Sequence, residues 1–181
     1  MMGVDKPGMK PFVGPGTAIA TRYFFNQIAT PGTGTAAVTA GRLYMQPFRN
    51  PGLVINRLAV NTTVGAVGSV RMGLYANNAD GMPGDLIQDA GTTDHNAAEI
   101  DEVALAADFT LPEWIWVGMI FEGTPTVTTG ALGAGGYTVG QPSFAGTGRG
   151  YIGTQAYGAL PATPPTLAFT TVVPCMAVRK A

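Results

Sequence analysis

The sequence is short of charge, cysteine and histidine. Only 12% of its 181 residues are Asp, Glu, Lys or Arg, roughly half the share usual in a soluble domain. Ten basic residues stand against eleven acidic ones, for a formal net charge of -1. Nothing in that balance makes the electrostatic footprint of a nucleic-acid binder, which needs a basic patch, and no nucleic-acid partner is expected. Low charge also gives little repulsion to keep copies apart. Many exposed positions must then be Ala, Gly, Thr or Ser, or be covered by other subunits, and a homo-oligomer is expected. The single cysteine, Cys175, excludes an internal disulfide and leaves the redox compartment open.

Long apolar runs and helical periodicity are missing too. The longest apolar run, Trp114 to Phe121, is far short of the ~20 residues a membrane-spanning helix needs, so no membrane insertion is expected. The opening "MMGVDKPGMKPFVGPG" has Pro and Gly where a signal peptide carries its apolar core. Synthesis in the cytoplasm without an export signal is the expectation. No segment shows sustained helical spacing with caps. Only the Ala-rich stretch Ala97 to Ala107 could be read as a helix, and a strand fits it better.

Turn residues and period-two patterning are what the chain has in quantity. It holds 26 Gly and 14 Pro, with 46% apolar residues. Without a Gly-X-Y period this is not collagen, and with that apolar share it is not simply disordered. "SVRMGLYA" puts Val70, Met72 and Leu74 on one face and Arg71, Gly73 and Tyr75 on the other, the pattern of a half-buried strand. The run Asn77, Asn78, Asp80, Gly81, Pro83, Gly84 reads as a turn. "AEIDEVALAADFTL" places Val103, Leu105, Ala107 and Phe109 on one face. "EWIWVGMIFEG" is apolar on both faces and is expected to be a central strand covered on both sides. Further strands are expected in "AIATRYFFNQIA", "GRLYMQPF", "LVINRLAVNTT", "DLIQDAGTT" and "TLAFTTVVPCMAV", with a Pro/Gly/Thr loop between the first two. Short strands spaced by turns indicate an all-β sandwich or barrel. Residues 1–16 read as an extended N-terminal arm. Residues 17–181 read as a single β-sandwich domain, with a long Gly/Pro-rich loop over 129–165.

Candidate chemistry is sparse, and no catalytic, cofactor or metal site is expected. Gly148, Gly150 and Gly153 match a dinucleotide glycine motif, but the prolines of "TQAYGALPATPP" forbid the helix that must follow it. A mobile glycine loop is the alternative. His95, beside Asp94 and four residues before Glu99, is read as a polar turn residue rather than an acid-base group. Cys175 is read as a small buried hydrophobe. Asp80, Asp85 and Asp89 do not match the spacing of a calcium loop. Trp114 and Trp116 lie two apart and could stack a sugar, yet a core role for at least one is the plainer reading. Asn61-Thr62-Thr63 fits a glycosylation sequon, which no secretory signal accompanies. In the arm, Met9, Phe12 and Val13 are candidate docking anchors. In the long loop, Tyr137, Phe144, Tyr151 and Tyr157 are candidate surface contacts.

The segment from Leu53 to Val127 resembles a domain of tailed-bacteriophage structural proteins, found in tail fibres, head fibres and related appendages. The residues that carry the resemblance are "GLY" at Gly73 to Tyr75, "PGDL" at Pro83 to Leu86, the glycine-ended strand Asp89 to Gly91, and "LPEWIWVGMIFEG". The family often has Gly-Leu-Tyr-Trp where this chain has Pro112-Glu113-Trp114-Ile115-Trp116. The resemblance implies a jelly-roll-like antiparallel β-sandwich in a structural or adhesive role, commonly trimeric. The expectation is therefore a non-enzymatic virion protein, a fibre, appendage or capsid decoration module. Its partners would be other copies, capsid, portal or tail proteins, and a host surface glycan. The alternative is a carbohydrate-binding, lectin-like module mediating adhesion.

Overall fold

The computed structural model describes residues 23–25, 29–49, 52–132, 150–170 and 172–180. They form an all-β sandwich of twelve strands, with no helix among them. The strands are β1 (Tyr23–Phe25), β2 (Ala29–Ala37), β3 (Arg42–Phe48), β4 (Val54–Val64), β5 (Ser69–Asn77), β6 (Pro83–Asp94), β7 (Ile100–Thr110), β8 (Ile115–Phe121), β9 (Thr126–Leu132), β10 (Gly150–Thr154), β11 (Leu167–Thr170) and β12 (Met176–Lys180). The arm, with Met9, Phe12 and Val13, lies outside the described residues, as do Tyr137 and Phe144.

Two antiparallel sheets carry these strands. One runs β1-β12-β4-β9-β2, with β7 added on β4. The other runs β11-β10-β3-β8-β5-β6. From β2 on, the chain crosses repeatedly between sheets, and only β5 and β6 are consecutive neighbours in one sheet before β9. The two inner faces share one core. Val70, Met72 and Leu74 of β5 and Ile115, Val117, Met119 and Phe121 of β8 meet Ile55, Leu58 and Val60 of β4, with Val103 and Leu105 of β7. Every residue of β8 is buried, as its two apolar faces predict.

The second face of β8 is covered by a separate cluster. Leu43, Met45, Tyr75, Trp116, Ile120, Tyr151 and Leu160 pack on the outside of that sheet. Part of the cover is a strap, residues 155–166, between β10 and β11, which brings Leu160 and Tyr157. Ala162 accepts a hydrogen bond from the Leu86 amide (2.8 Å), and Pro161 accepts one from the Tyr75 hydroxyl (3.1 Å). The Leu160 amide donates to Asp89 Oδ2 at 3.3 Å. Asp89 also receives Arg71 Nε on both carboxylate oxygens, at 2.8 and 2.9 Å. Leu160 fits because residue 73 is glycine: a Cβ there would stand 2.4 Å from Leu160 Cδ1. Bonding Leu86 also occupies part of the free edge of β6, which would otherwise invite another strand.

Four sequence expectations change. The Pro/Gly/Thr run after residue 29 is not a loop but β2, paired with β9. It lies at a sheet edge, where Pro and a register shift between Pro31 and Thr35 are tolerated. The 129–165 stretch is not one loop, because it contains the end of β9, all of β10 and most of the strap. "TLAFTTVVPCMAV" is not one strand. It splits into β11 and β12, which belong to different sheets, with Pro174 between them. Finally, Ala107 does not share the core face of β7. The pairing with β4 jumps from Ala104 to Phe109, and the bulge leaves Ala107 exposed.

Candidate functional site

The hairpin between β5 and β6 is held by its own asparagine. Asn78 Oδ1 accepts from the Asp80 and Met82 amides at 3.0 and 2.8 Å. Gly81, at φ 74°, supplies the left-handed residue that the turn requires. Such an Asx turn is a structural device. The three aspartates nearby do not converge: Asp89 pairs with Arg71, and Asp85 accepts from Thr163. Among the described residues, no group of three or more His, Cys, Asp or Glu could hold a metal ion.

Two of the three motif glycines resolve into packing, and Gly148 lies outside the described residues. Gly150 and Gly153 lie in β10, between β3 and β11. A Cβ on Gly150 would stand 2.4 Å from the Met45 carbonyl oxygen, and one on Gly153 would stand 2.8 Å from Pro165. Close backbone approach is why these positions are glycine.

Tyr151 is corrected from surface contact to core. It is 3% exposed, and its ring lies 5.5 Å from Trp116 and 4.6 Å from Phe169. Tyr157 is half-buried and packs against the same cluster. His95 sits at a turn but is fully buried, not an exposed polar residue. Its ring packs 5.9 Å from Phe121, and Nδ1 lies 2.9 Å from the Ala66 carbonyl. Nearby Asp101 is also buried and accepts from the Thr62 hydroxyl at 2.5 Å. Burial is the leading cause that pushes its carboxyl pKa up. Burial likewise pushes the Cys175 thiol up to about 11, so at neutral pH it is a protonated core residue.

On the other sheet, Glu102 gathers a polar cluster from four strands. It accepts from Tyr23 at 2.5 Å and from Arg179 on both oxygens, and Arg57 lies 3.7 Å away. Burial works against its charge, but the Tyr23 hydrogen bond, Arg179 and Arg57 hold its pKa below the usual value. This cluster joins strands and leaves the carboxylate fully committed.

The two tryptophans part company. Trp116 is 1% exposed and donates from Nε1 to Asn77 Oδ1 at 2.9 Å. Trp114 precedes β8 and is only half-buried. Together with Pro47, Asn77 and Gly81 they line a surface depression of about 120 Å³. Arg49 stands 5.6 Å from the centre of the Trp114 ring and pairs with Glu113 at 3.0 Å. Asn77 and Gly81 read in the sequence only as turn residues, and Pro47 and Arg49 gave no signal. A half-buried aromatic and a fixed amide thus line the depression, and an exposed ion pair adjoins it at Trp114.

No family model and no curated protein matches the chain. The likeness to phage appendage domains therefore rests on the residue pattern.

Proposed function

We propose that the chain is a non-enzymatic bacteriophage virion protein, a fibre, appendage or decoration module of the head or tail. In this proposal it assembles as a homotrimer, docks on a capsid, portal or tail protein through residues 1–16, and resides in the virion. The observation that carries the proposal is the placement of the phage-like segment. Residues 53–127 run from β4 through β8 into β9 and contribute five whole strands, β4 and β7 to one sheet and β5, β6 and β8 to the other. With β2, β3 and the rest of β9 added, the order sets β2-β9-β4-β7 against β3-β8-β5-β6. That order supports a jelly-roll-like wrapping of the kind common in capsid and lectin domains. The step from fold to role is by analogy.

Mass spectrometry of purified particles tests the assignment, together with light scattering of the free protein. The expected outcome is a stoichiometric virion component that is trimeric in solution and is lost from particles when residues 1–16 are deleted. A chain absent from purified particles overturns it. A second reading, an adhesive carbohydrate-binding module, is favoured by the half-exposed Trp114 beside Asn77.

A further inference from the structure

The depression at Trp114 is small and amphiphilic. At about 120 Å³ it holds roughly four waters' worth of volume at ~30 Å³ each. Pockets for drug-sized ligands begin near ~300 Å³. Its occupant is therefore one ring that rests on the surface and projects from it. The floor is largely apolar, made by the Trp114 and Trp116 rings and Pro47.

Its polar groups are few and oriented. Trp116 Nε1 holds Asn77 Oδ1 at 2.9 Å, and Asn77 Nδ2 donates to the Asn78 carbonyl at 3.2 Å. A carbonyl oxygen has two lone pairs and an amide nitrogen two hydrogens. The fixed amide thus keeps one acceptor and one donor in reserve. Beside it, Arg49 and Glu113 form an exposed pair at 3.0 Å, with no net charge between them. The remaining Arg49 donors and the second Glu113 oxygen have no partner among the described residues.

An apolar side chain seated here would cover the spare donor and acceptor of Asn77 and leave them unpaired, which costs free energy. A sugar ring matches both halves of the surface. Its C–H face is apolar, and its equatorial hydroxyls each donate and accept. The neutral Arg49–Glu113 pair gives no net attraction to a carboxylate. We propose that this depression binds a single uncharged sugar ring, stacked on Trp114 with its hydroxyls on Asn77 and the Arg49–Glu113 pair. The proposal rests on the carbohydrate-binding reading and names the site and the class of sugar.

Nuclear magnetic resonance titration of the full chain tests it. The neutral probes are methyl β-D-glucopyranoside, methyl β-D-galactopyranoside and N-acetylglucosamine. Glucuronate serves as the acidic probe and N-acetylproline amide as the apolar one. The chain has two tryptophans, so each indole N–H reports one site. The expected result is saturable movement of the Trp114 indole and the Asn77 side-chain amide with at least one neutral sugar. Its affinity should be on the order of 1–10 mM, with glucuronate at least tenfold weaker. Trp114→Ala should abolish the response while the spectrum of the sheets stays unchanged, and Trp114→Phe should keep part of it. Three results overturn the proposal. They are no movement of these signals at about 50 mM of any neutral sugar, unaltered binding by Trp114→Ala, and binding of N-acetylproline amide alone. Particle incorporation is measured separately, so failure here is distinguishable from failure of the virion assignment. If no neutral sugar moves any signal of the parent, the carbohydrate-binding reading falls with it, whereas sugar-dependent movement confined to signals away from Trp114 overturns only this site.

Discussion

Removing one oxygen atom from the outer cluster should make the protein more stable. Tyr151 is 3% exposed, and its hydroxyl has no hydrogen-bond partner among the described residues. Burial raises the phenol pKa, so the group stays protonated and neutral. A buried donor left unmade costs about 1–3 kcal/mol. Tyr151→Phe keeps the ring contacts with Trp116 and Phe169 and deletes only that cost. The expected gain is about 1–2 kcal/mol. For a domain of this size, each kcal/mol moves Tm by about 2–4 °C. In urea the midpoint should rise with the slope unchanged. Tyr151→Ala, which empties the site, should instead lose about 3–5 kcal/mol. A surface contact residue would give both variants midpoints within about 0.5 kcal/mol of the parent. A lowered midpoint for Tyr151→Phe would refute the reasoning, because it would mean the hydroxyl makes a favourable bond.

Three further outcomes follow from the interior. Burial holds the Cys175 thiol pKa up near about 11. The native protein at pH 8 should therefore resist a disulfide-exchange reagent that labels it promptly in urea, and fast native labelling would contradict the burial. The Asp101 carboxyl pKa is raised, chiefly by burial. The folded state thus holds its proton longer than the unfolded one, and wild-type stability falls as pH rises from about 3.9 through the folded value. Asp101→Asn should remove that fall and gain on the parent between pH 4 and 7 in urea titrations, whereas parallel profiles would count against it. Gly150→Ala drives a methyl to 2.4 Å from the Met45 carbonyl oxygen. It should cost about 1–3 kcal/mol, where a glycine in a free loop would tolerate the change.

What the sequence announced, and what it hid, divides by the range of the contacts. β5 and β8 were legible because their own side chains state which faces are covered. The hairpin was legible because Asn78, Gly81 and Pro83 carry its geometry locally. β2 was not, since an edge strand needs little beyond backbone, and Pro31 and Gly34 look like loop residues. Tyr151 was misplaced because the glycines around it suggest a free chain, while their purpose is to let β10 approach Met45 and Pro165. His95 looked exposed among polar neighbours, but what buries it is Phe121 and the backbone near Gly68 and Gly123. At the candidate site the Trp pair was visible and its division of labour was not. Asn77, far from Trp116 in sequence, decides which indole is fixed inside.

The position of β12 has a consequence for the order of events during synthesis. This strand is made after the other eleven, yet it lies inside a sheet between β1 and β4. Met176, Ala177 and Val178 are buried there. At translation rates of about 5–20 residues per second, roughly 6–25 s pass between the emergence of Val60 and that of its partner Met176. Through that interval one edge of β4 has neither β12 nor β9 for most of its length, and open edges recruit strands from other chains. A chain with so few charges has little electrostatic repulsion to prevent this. Closure of the sandwich is thus a late event, and the nascent chain must be kept apart from its copies until residue 180 is free.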